Sequence, residues 1–228
     1  DIIDLVRACY ALRPEGIEWP LREDGSPSFK LELLTAANGI DHGQAHDALA
    51  DVRATIALAR LIKEKQPKLF DYAFSLRQKA QVIKQINLQQ LTPLVHVSSK
   101  IPASQGCCTW ILPVAQHPSN PNAIICVDLS KDPQAILNEN AETLRSLLYA
   151  RQESFEEGQQ RPGIKLIHIN RSPFITTAKA LTEDNADRLG LNRDQCLENY
   201  KRLAEDNAWR DTLIELYNEP HEDSEVDA

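Results

Sequence analysis

Two residues with complementary chemistry lie close together near the start of the chain. His46 precedes Asp51 by five positions, in a run that reads Ala-His-Asp-Ala-Leu-Ala-Asp. An aspartate offers hard oxygen ligands to a divalent cation, and a histidine can accept a proton from a water that the cation has acidified. The spacing therefore points to metal-dependent phosphodiester hydrolysis, with His46 as the catalytic base and Asp51 as a metal ligand.

The same run also has a purely structural interpretation. Apolar side chains recur at helical spacing, which predicts an amphipathic helix over residues 47–65 that packs one face on a core. Asp47 would then cap the helix, and Asp51 would be a first-turn carboxylate favoured by the helix dipole. A histidine–aspartate metal dyad formed by His46 and Asp47 is a further alternative, although it needs histidines from other helices. The apolar positions are Ala48, Leu49, Val52, Ile56, Ala59 and Ile62.

Charge is distributed unevenly along a chain whose net charge is −8. Residues 219–228 hold five carboxylates and neither Lys nor Arg, which predicts an acidic, disordered tail. Residues 53–101 hold nine Lys and Arg against two acids, and this basic stretch could bind a phosphate backbone. No apolar run approaches the roughly 20 residues that span a membrane, so we expect no membrane contact.

The order of elements predicts an α+β chain in two parts. Helices are expected at residues 2–12, 27–38, 47–65 and 69–86, with Ser26 capping the second and Pro27 at its first position. Short β-branched runs at 94–98, 109–112, 123–128 and 165–170 predict a small antiparallel barrel. Further helices are expected at 140–152, 182–190, 192–205 and 207–218. The early helices would leave an apolar face exposed, because the sheet that they should flank is missing.

Motifs along nearly the whole chain resemble the bacterial exonuclease I family of DEDDh-type nucleases. The matching segments are Arg7–Gly16, Pro27–Glu32, Ala37–Ile40, Ala45–Asp51, Gln66–Tyr72, Pro93–Ser98, Ile167–Asn170 and Ala186–Gly190. The resemblance implies that residues 1–66 are the C-terminal part of a ribonuclease-H-like exonuclease domain (an α/β remnant). Residues 67–218 would be an SH3-like barrel domain with inserted helices, and residues 219–228 the acidic tail.

The resemblance also implies an activity: 3′-to-5′ degradation of single-stranded DNA with two Mg²⁺ ions, in DNA repair and recombination, by a monomer of the bacterial cytoplasm. The family's other three metal-binding carboxylates would precede Asp1, so we expect an internal fragment that binds Mg²⁺ weakly and is inactive alone. A non-catalytic module that binds single-stranded DNA or docks a protein is the alternative. An RNA-directed DEDDh nuclease would share His46 and Asp51, but would not obviously need the barrel.

Four positions match those that the family places along its DNA strand. These are Arg7, Lys30, Tyr72 and Asn122. Arg7 and Lys30 could meet phosphates, although Lys30 stands where the family often has arginine and so lacks bidentate geometry. Tyr72 could stack on a base, and Asn122 could donate to the backbone from a turn. Their structural alternatives are a surface ion pair for Arg7, an interdomain lid for Tyr72 and a turn former for Asn122.

The family also binds the acidic C-terminal tail of the single-stranded-DNA-binding protein. Arg13, Tyr72 and Leu197 match that partner pocket. The chain departs from the pattern at Thr92, Thr182 and Ala204, where basic side chains would help to capture a carboxylate.

Overall fold

A computed structural model of the chain describes residues 1–44 and 46–218, so the predicted acidic tail lies outside the described residues. Five helices precede the first strand: α1 Ile3–Leu12, α2 Leu31–Ala37, α3 Ala48–Lys65, α4 Pro67–Ser75 and α5 Lys79–Lys84. The later helices are α6 Gln134–Asn138, α7 Ala141–Tyr149, α8 Glu183–Arg188, α9 Arg193–Ala204 and α10 Ala208–Tyr217. None of the described helices combines the length and apolar character needed to cross a bilayer.

Five antiparallel strands form one sheet in the order β4-β3-β2-β1-β5. Their bounds are β1 Leu94–Val97, β2 Cys108–Gln116, β3 Ala123–Asp128, β4 Ile164–His168 and β5 Phe174–Thr177. The central strands are buried nearly throughout, because helices cover the sheet. The combination of separate helices and an antiparallel sheet confirms the predicted α+β class.

Helix α1 joins the helical segment to the sheet. Seven of its ten residues are buried, and it packs against β1, β5 and α4. A helix that is apolar on almost every side is suited to such a central position. The buried side chains on both sides of α1 form one continuous cluster, so the helices before Pro67 and the sheet after it share a hydrophobic core.

A bulge in β2 anchors the last helix. The register between β2 and β3 shifts between Pro113 and Ala115, which releases Val114 from the ladder. The Val114 carbonyl instead accepts hydrogen bonds from Arg210 Nη2 at 2.7 Å and Arg210 Nε at 3.2 Å. Arg210 Nη2 also donates to the carbonyl of Leu88 at 2.6 Å. One guanidinium thus ties α10 to the sheet and to the segment that enters it.

We expect Arg210→Ala to lower the free energy of unfolding by about 2–3 kcal/mol, because it leaves the Val114 and Leu88 carbonyls without their charged donor. Urea denaturation followed by circular dichroism measures this change. Arg193→Ala is the matched control, since Arg193 forms only an exposed ion pair with Glu183 at 3.9 Å. Equal stability of the two variants would contradict the proposed anchoring role.

Two sequence-based helix predictions are wrong in detail. The helix expected to start at Pro27 begins at Leu31, because Pro27 bridges Leu21 and the Ser26 carbonyl accepts from the amide of Arg22 at 2.7 Å. Ser26 therefore closes a tight turn with Asp24 and caps no helix. The helix expected over residues 69–86 is divided into α4 and α5, since Gln78 adopts an extended conformation.

One face of α3 differs from the expectation. Ala54, Leu58 and Ile62 are buried, as an amphipathic helix requires. By contrast, Leu49, Val52 and Ile56 are exposed, although periodicity placed them in the core. Their exposure agrees with the expectation that the early helices present an apolar face to solvent. Strand β5 is a further difference, because no sequence pattern predicts a strand at residues 174–177.

Candidate functional site

The N-terminus of α3 presents the two residues selected for chemistry. Asp47 caps the helix, and its carboxylate accepts a hydrogen bond from the amide of Ala50 at 3.2 Å. Asp51 lies one turn further on, in the first turn of the helix, with 39% of its side chain exposed. The helix dipole favours a carboxylate at that position. Asp47 therefore serves as the helix cap, which leaves the Asp51 carboxylate available for another role.

A second histidine fixes the orientation of Asp51. His42 Nε2 lies 2.6 Å from Asp51 Oδ1, and the His42 side chain is only 11% exposed. This hydrogen bond is the main reason why the pKa of Asp51 lies below its ordinary value. Within the described residues, His42 Nδ1 is buried and has no hydrogen-bond partner.

Sequence reasoning missed His42, because its role depends on a loop that folds back on the helix. The Asp41 carboxylate accepts from the amide of Gly43 at 2.8 Å, and Gly43 has a positive φ of 66°. These two features turn the chain so that His42 faces Asp51. The available signal was a histidine directly before a glycine, nine positions ahead of the aspartate.

His46, unlike the largely buried His42, projects into solvent. Its backbone has a φ of 72°, which is uncommon for a residue other than glycine, and its imidazole is 88% exposed. Nε2 lies 3.8 Å from Glu32 Oε2 at the start of α2. The side chain is therefore free to meet a solvent molecule or a substrate next to Asp51. An imidazole in such a position can accept a proton from water.

The carboxylates described at this site are too few for a magnesium ion. Magnesium takes an octahedral set of oxygen ligands, with carboxylates, substrate phosphates and water sharing the positions. No cluster of three His, Cys, Asp or Glu side chains in the described ranges could hold a metal ion. Asp51 offers one carboxylate, and one of its oxygens is already bonded to His42. The described residues alone therefore do not form a magnesium site.

Arg7 and Lys30, predicted to contact phosphates, line the same cavity. This basic cavity has a volume of about 420 Å³, and its described lining includes Arg22 and Lys100 but no acidic residue. Arg7 is partly buried and pairs with Asp4 at 3.0 Å. Lys30 immediately precedes α2, two positions before Glu32, so the basic cavity lies near the His46 side of the site. The arrangement suits a phosphate chain that approaches the N-terminus of α3.

Tyr72 and Asn122 lie outside the lining of the basic cavity. The Tyr72 hydroxyl donates to the carbonyl of Ile175 in β5, and its ring meets Phe174 edge-on at 5.9 Å between centroids. Asn122 Oδ1 accepts from Lys79 Nζ at 2.6 Å. Tyr72 and Asn122 therefore do not share a cavity with Arg7 and Lys30, and both take part in intramolecular contacts.

The three residues predicted to bind a partner protein, Arg13, Tyr72 and Leu197, do not line one common cavity. Leu197 is half exposed and lines a cavity of about 350 Å³ together with Lys179, Thr182 and Arg193. Arg13 is not part of that lining, but it donates to the carbonyl of Ala180 at 2.9 Å. Tyr72, Thr92 and Ala204 do not line the cavity either. Lys179 and Arg193 also line the cavity, where Arg193 pairs with Glu183 at 3.9 Å, and no sequence pattern singled out these three residues.

Comparison with known proteins gives the chain a family. The family model for the exonuclease I SH3-like domain matches residues 77–219. Exodeoxyribonuclease I of Escherichia coli K12 is 48% identical over 219 residues, which cover 96% of this chain and 46% of that protein. Exodeoxyribonuclease I of Haemophilus influenzae is 49% identical over 220 residues, with coverages of 96% and 46%. The chain thus spans less than half the length of these relatives.

Solved structures agree with the sequence comparison. E. coli exonuclease I in complex with a dA16 oligonucleotide matches with a TM-score of 0.94 and 47% identity, over 97% of this chain and 47% of that one. A zinc-bound complex of the E. coli enzyme with single-stranded DNA matches with a TM-score of 0.92, 46% identity and coverages of 100% and 48%. A structure of SSB/exonuclease I in complex with the inhibitor CFAM matches with a TM-score of 0.88 and 46% identity, over 97% of this chain and 46% of that one. The chain therefore belongs to the exonuclease I family, with the SH3-like domain of that family at residues 77–219.

Proposed function

We propose that the complete product of the gene encoding these residues degrades single-stranded DNA from its 3′ end in the bacterial cytoplasm, as part of DNA repair. The observation that carries this proposal is the N-terminus of α3, where the backbone amide of the exposed His46 hydrogen-bonds to Asp51 and a second histidine, His42, orients the same carboxylate. The E. coli relative, which crystallised with single-stranded oligonucleotides, supports the choice of substrate.

In this proposal each residue has a defined part. His46 takes a proton from the attacking water, and His42 orients the Asp51 carboxylate through its 2.6 Å bond to Oδ1. Asp51 would bind Mg²⁺ together with carboxylates beyond those described, and the two bound ions would supply a more acidic water and neutralise developing charge. Arg7 and Lys30 would hold the phosphates of the strand. The 228 residues alone, with one suitable carboxylate, are expected to be inactive.

The direct test uses the complete gene product and a single-stranded oligonucleotide labelled at its 5′ end. We expect Mg²⁺-dependent shortening of the labelled strand one nucleotide at a time, with duplex DNA and RNA degraded far more slowly. Release of the label in the first product would mean the opposite polarity. Binding without degradation would favour the non-catalytic DNA-binding module, and a preference for RNA would favour an RNA-directed nuclease.

His42 supports a separate prediction about the orientation of Asp51. We expect His42→Ala to lower both the Mn²⁺ affinity and the hydrolysis rate of the complete gene product by about 10–100-fold, the usual cost of losing a residue that orients a metal ligand. His42→Gln should retain most of the affinity, because its amide nitrogen can reach Asp51 Oδ1. Calorimetric titration with Mn²⁺ measures this difference. If the alanine variant binds Mn²⁺ as tightly as the wild type, the bond does not position the ligand.

We further propose that the cavity at Leu197 binds the acidic tail of the single-stranded-DNA-binding protein. Lys179 suits a carboxylate and Leu197 offers an apolar contact, while Arg193, which pairs with Glu183 of the same lining at 3.9 Å, would have to exchange that partner for the peptide. The SSB/exonuclease I structure of the relative supports this choice of partner.

For this cavity, Leu197→Ala is expected to weaken binding of a labelled tail peptide about tenfold, as removal of an apolar anchor does. Fluorescence anisotropy of the peptide provides the measurement. Leu21→Ala is the control, because Leu21 is the same residue type and is also exposed but does not line the cavity. The same loss in both variants would argue against a specific site.

A further inference from the structure

Helix α8 of the SH3-like domain caps the end of α1, the helix that carries Arg7. The last turn of α1, residues 9–12, contains no basic side chain of its own. Arg188 Nη2, at the end of α8, instead donates to the carbonyl of Tyr10 and to that of Ala11 at 3.2 Å. A cation suits the negative end of a helix dipole, and these carbonyls lack partners within the helix. The guanidinium of Arg188 therefore completes α1 from the far end of the sequence.

The same guanidinium covers an aromatic ring that leads towards the basic cavity. Its Cζ atom lies 4.6 Å from the centroid of the buried Tyr10 ring. Tyr10 meets Phe29 edge-on, with 5.9 Å between the ring centroids and 79° between the ring planes. Arg7 Cζ in turn lies 5.9 Å from the centroid of the Phe29 ring. These contacts form one continuous aromatic column, which contains Arg188, Tyr10, Phe29 and Arg7.

The aromatic column helps to fix where the Arg7 guanidinium lies. Arg7 pairs with Asp4 of its own helix at 3.0 Å and packs across Phe29. Both Arg7 and Phe29 line the basic cavity. Phe29 belongs to the loop before α2, so its edge-on contact with Tyr10 links that loop to α1. Edge-to-face ring pairs and cations over rings each add attraction beyond the area that they bury. A change at Arg188 should therefore reach Arg7 through two rings.

Arg188 itself is not part of the described lining of the basic cavity. We propose that Arg188 is a positioning residue for strand binding, which acts on Arg7 through the aromatic column. It caps α1 and covers Tyr10, and the Tyr10 ring holds Phe29 beneath the Arg7 guanidinium. The SH3-like domain thereby supports a phosphate contact that is made by the preceding helical segment. This inference rests on the proposed function and adds to it a residue that acts through others.

The test measures the anisotropy of a labelled oligothymidylate of about 12 nucleotides with the complete gene product, in EDTA to prevent degradation. For Arg188→Gln we expect about tenfold weaker binding, a usual size for residues of one network. The slope of log affinity against log salt should fall by about 0.7, because the phosphate contact of Arg7 is lost. Arg202→Gln is the matched control, since it removes the same charge from a surface ion pair with Asp132 at 3.2 Å. It should change neither quantity.

A double-mutant cycle separates positioning from a direct contact and from a general loss of stability. In an Arg7→Gln background, Arg188→Gln should weaken binding less than about twofold, because the residue through which it acts is already gone. Arg188 is exposed, so its substitution should leave the chain folded. Equal losses in the two backgrounds would mean that Arg188 acts independently of Arg7, and would overturn the inference.

Tyr10 provides a second route that leaves Arg188 in place. Tyr10→Phe keeps the ring and should bind the strand like the wild type. Tyr10→Leu removes the ring and should weaken binding about tenfold, as Arg188→Gln does. Circular dichroism confirms that each variant is folded at the temperature of the titration. Wild-type affinity in a folded Tyr10→Leu variant would show that the column does not transmit the effect.

The inference can fail while the proposed function stands. In that case Arg7→Gln weakens binding of the strand, whereas Arg188→Gln binds it like the wild type. If Arg7→Gln also binds the strand like the wild type, the assignment of Arg7 to a phosphate fails together with the inference.

Discussion

His46→Ala is expected to lower the rate of single-stranded DNA degradation by the complete gene product about 10²–10⁴-fold, the usual contribution of a general base. The imidazole is 88% exposed, and its ion-pair contact with Glu32 is long at 3.8 Å, so the side chain is available to water. His46 does not line the basic cavity of Arg7 and Lys30, and DNA affinity should therefore stay unchanged. Single-turnover rates at saturating DNA, together with anisotropy, separate the two effects.

His117→Ala is the matched control for this prediction. His117 lies in the β2–β3 turn, where its Nδ1 accepts hydrogen bonds from the amides of Ser119 and Asn120. The control should degrade DNA at the wild-type rate. If His46→Ala did so as well, another group would have to serve as the base. If His46→Ala lost affinity and rate together, His46 would be a binding residue.

The second large effect concerns acid stability. His96 is buried in β1, and its Nδ1 lies 3.0 Å from the carbonyl of Phe174, to which the neutral ring donates. Burial, reinforced by the positive charge of Lys165, lowers the pKa of His96 to about 3. In the unfolded chain a histidine takes up a proton near its ordinary value of about 6.5. The unfolded state therefore binds an extra proton between these two values.

The sign of the pH dependence follows from this difference. Above pH of about 6.5 His96 is neutral in both states, and its contribution to stability does not change with pH. As the pH falls towards about 3, the free energy of unfolding should decrease by up to about 1.4 kcal/mol per pH unit. Urea denaturation at a series of pH values measures this slope. The loss should be reversible when the pH is raised again.

A histidine substitution identifies the group responsible. His96→Asn keeps a donor for the Phe174 carbonyl but has no titratable ring, so its acid slope should be shallower than that of the wild type. His117→Asn, in the β2–β3 turn, is the control for the loss of a histidine elsewhere in the chain. Identical slopes for wild type and His96→Asn would show that carboxylates alone cause the acid destabilisation.

Much of the fold could be predicted because local signals were strong. The apolar run of α1, the Asp47 cap of α3 and the β-branched residues of β3 each specify an element without help from distant residues. Prediction failed where tertiary contacts determine whether an element forms or where it begins. Strand β5 has four residues and exists because Val97 pairs with Phe174, and α2 starts late because Pro27 bridges Leu21.

The candidate site shows the same division. His46 and Asp51 could be found from sequence because both belong to one short run. His42 could not, because its bond to Asp51 depends on the turn at Gly43. Likewise, Arg7, Lys30 and the basic stretch that contains Lys100 could be selected from sequence, but their meeting in one cavity depends on β1 lying beside α1.

Divalent-cation binding by the complete gene product tests most directly whether the N-terminus of α3 is a catalytic metal site. We predict that calorimetry with Mn²⁺ detects binding to the wild type and at least about tenfold weaker binding to Asp51→Asn. Asp47→Asn is the control and should bind Mn²⁺ like the wild type, since asparagine is an equally good helix cap. Unchanged Mn²⁺ affinity in Asp51→Asn, with degradation of DNA still at the wild-type rate, would contradict the account and leave Asp51 as a first-turn residue of the helix.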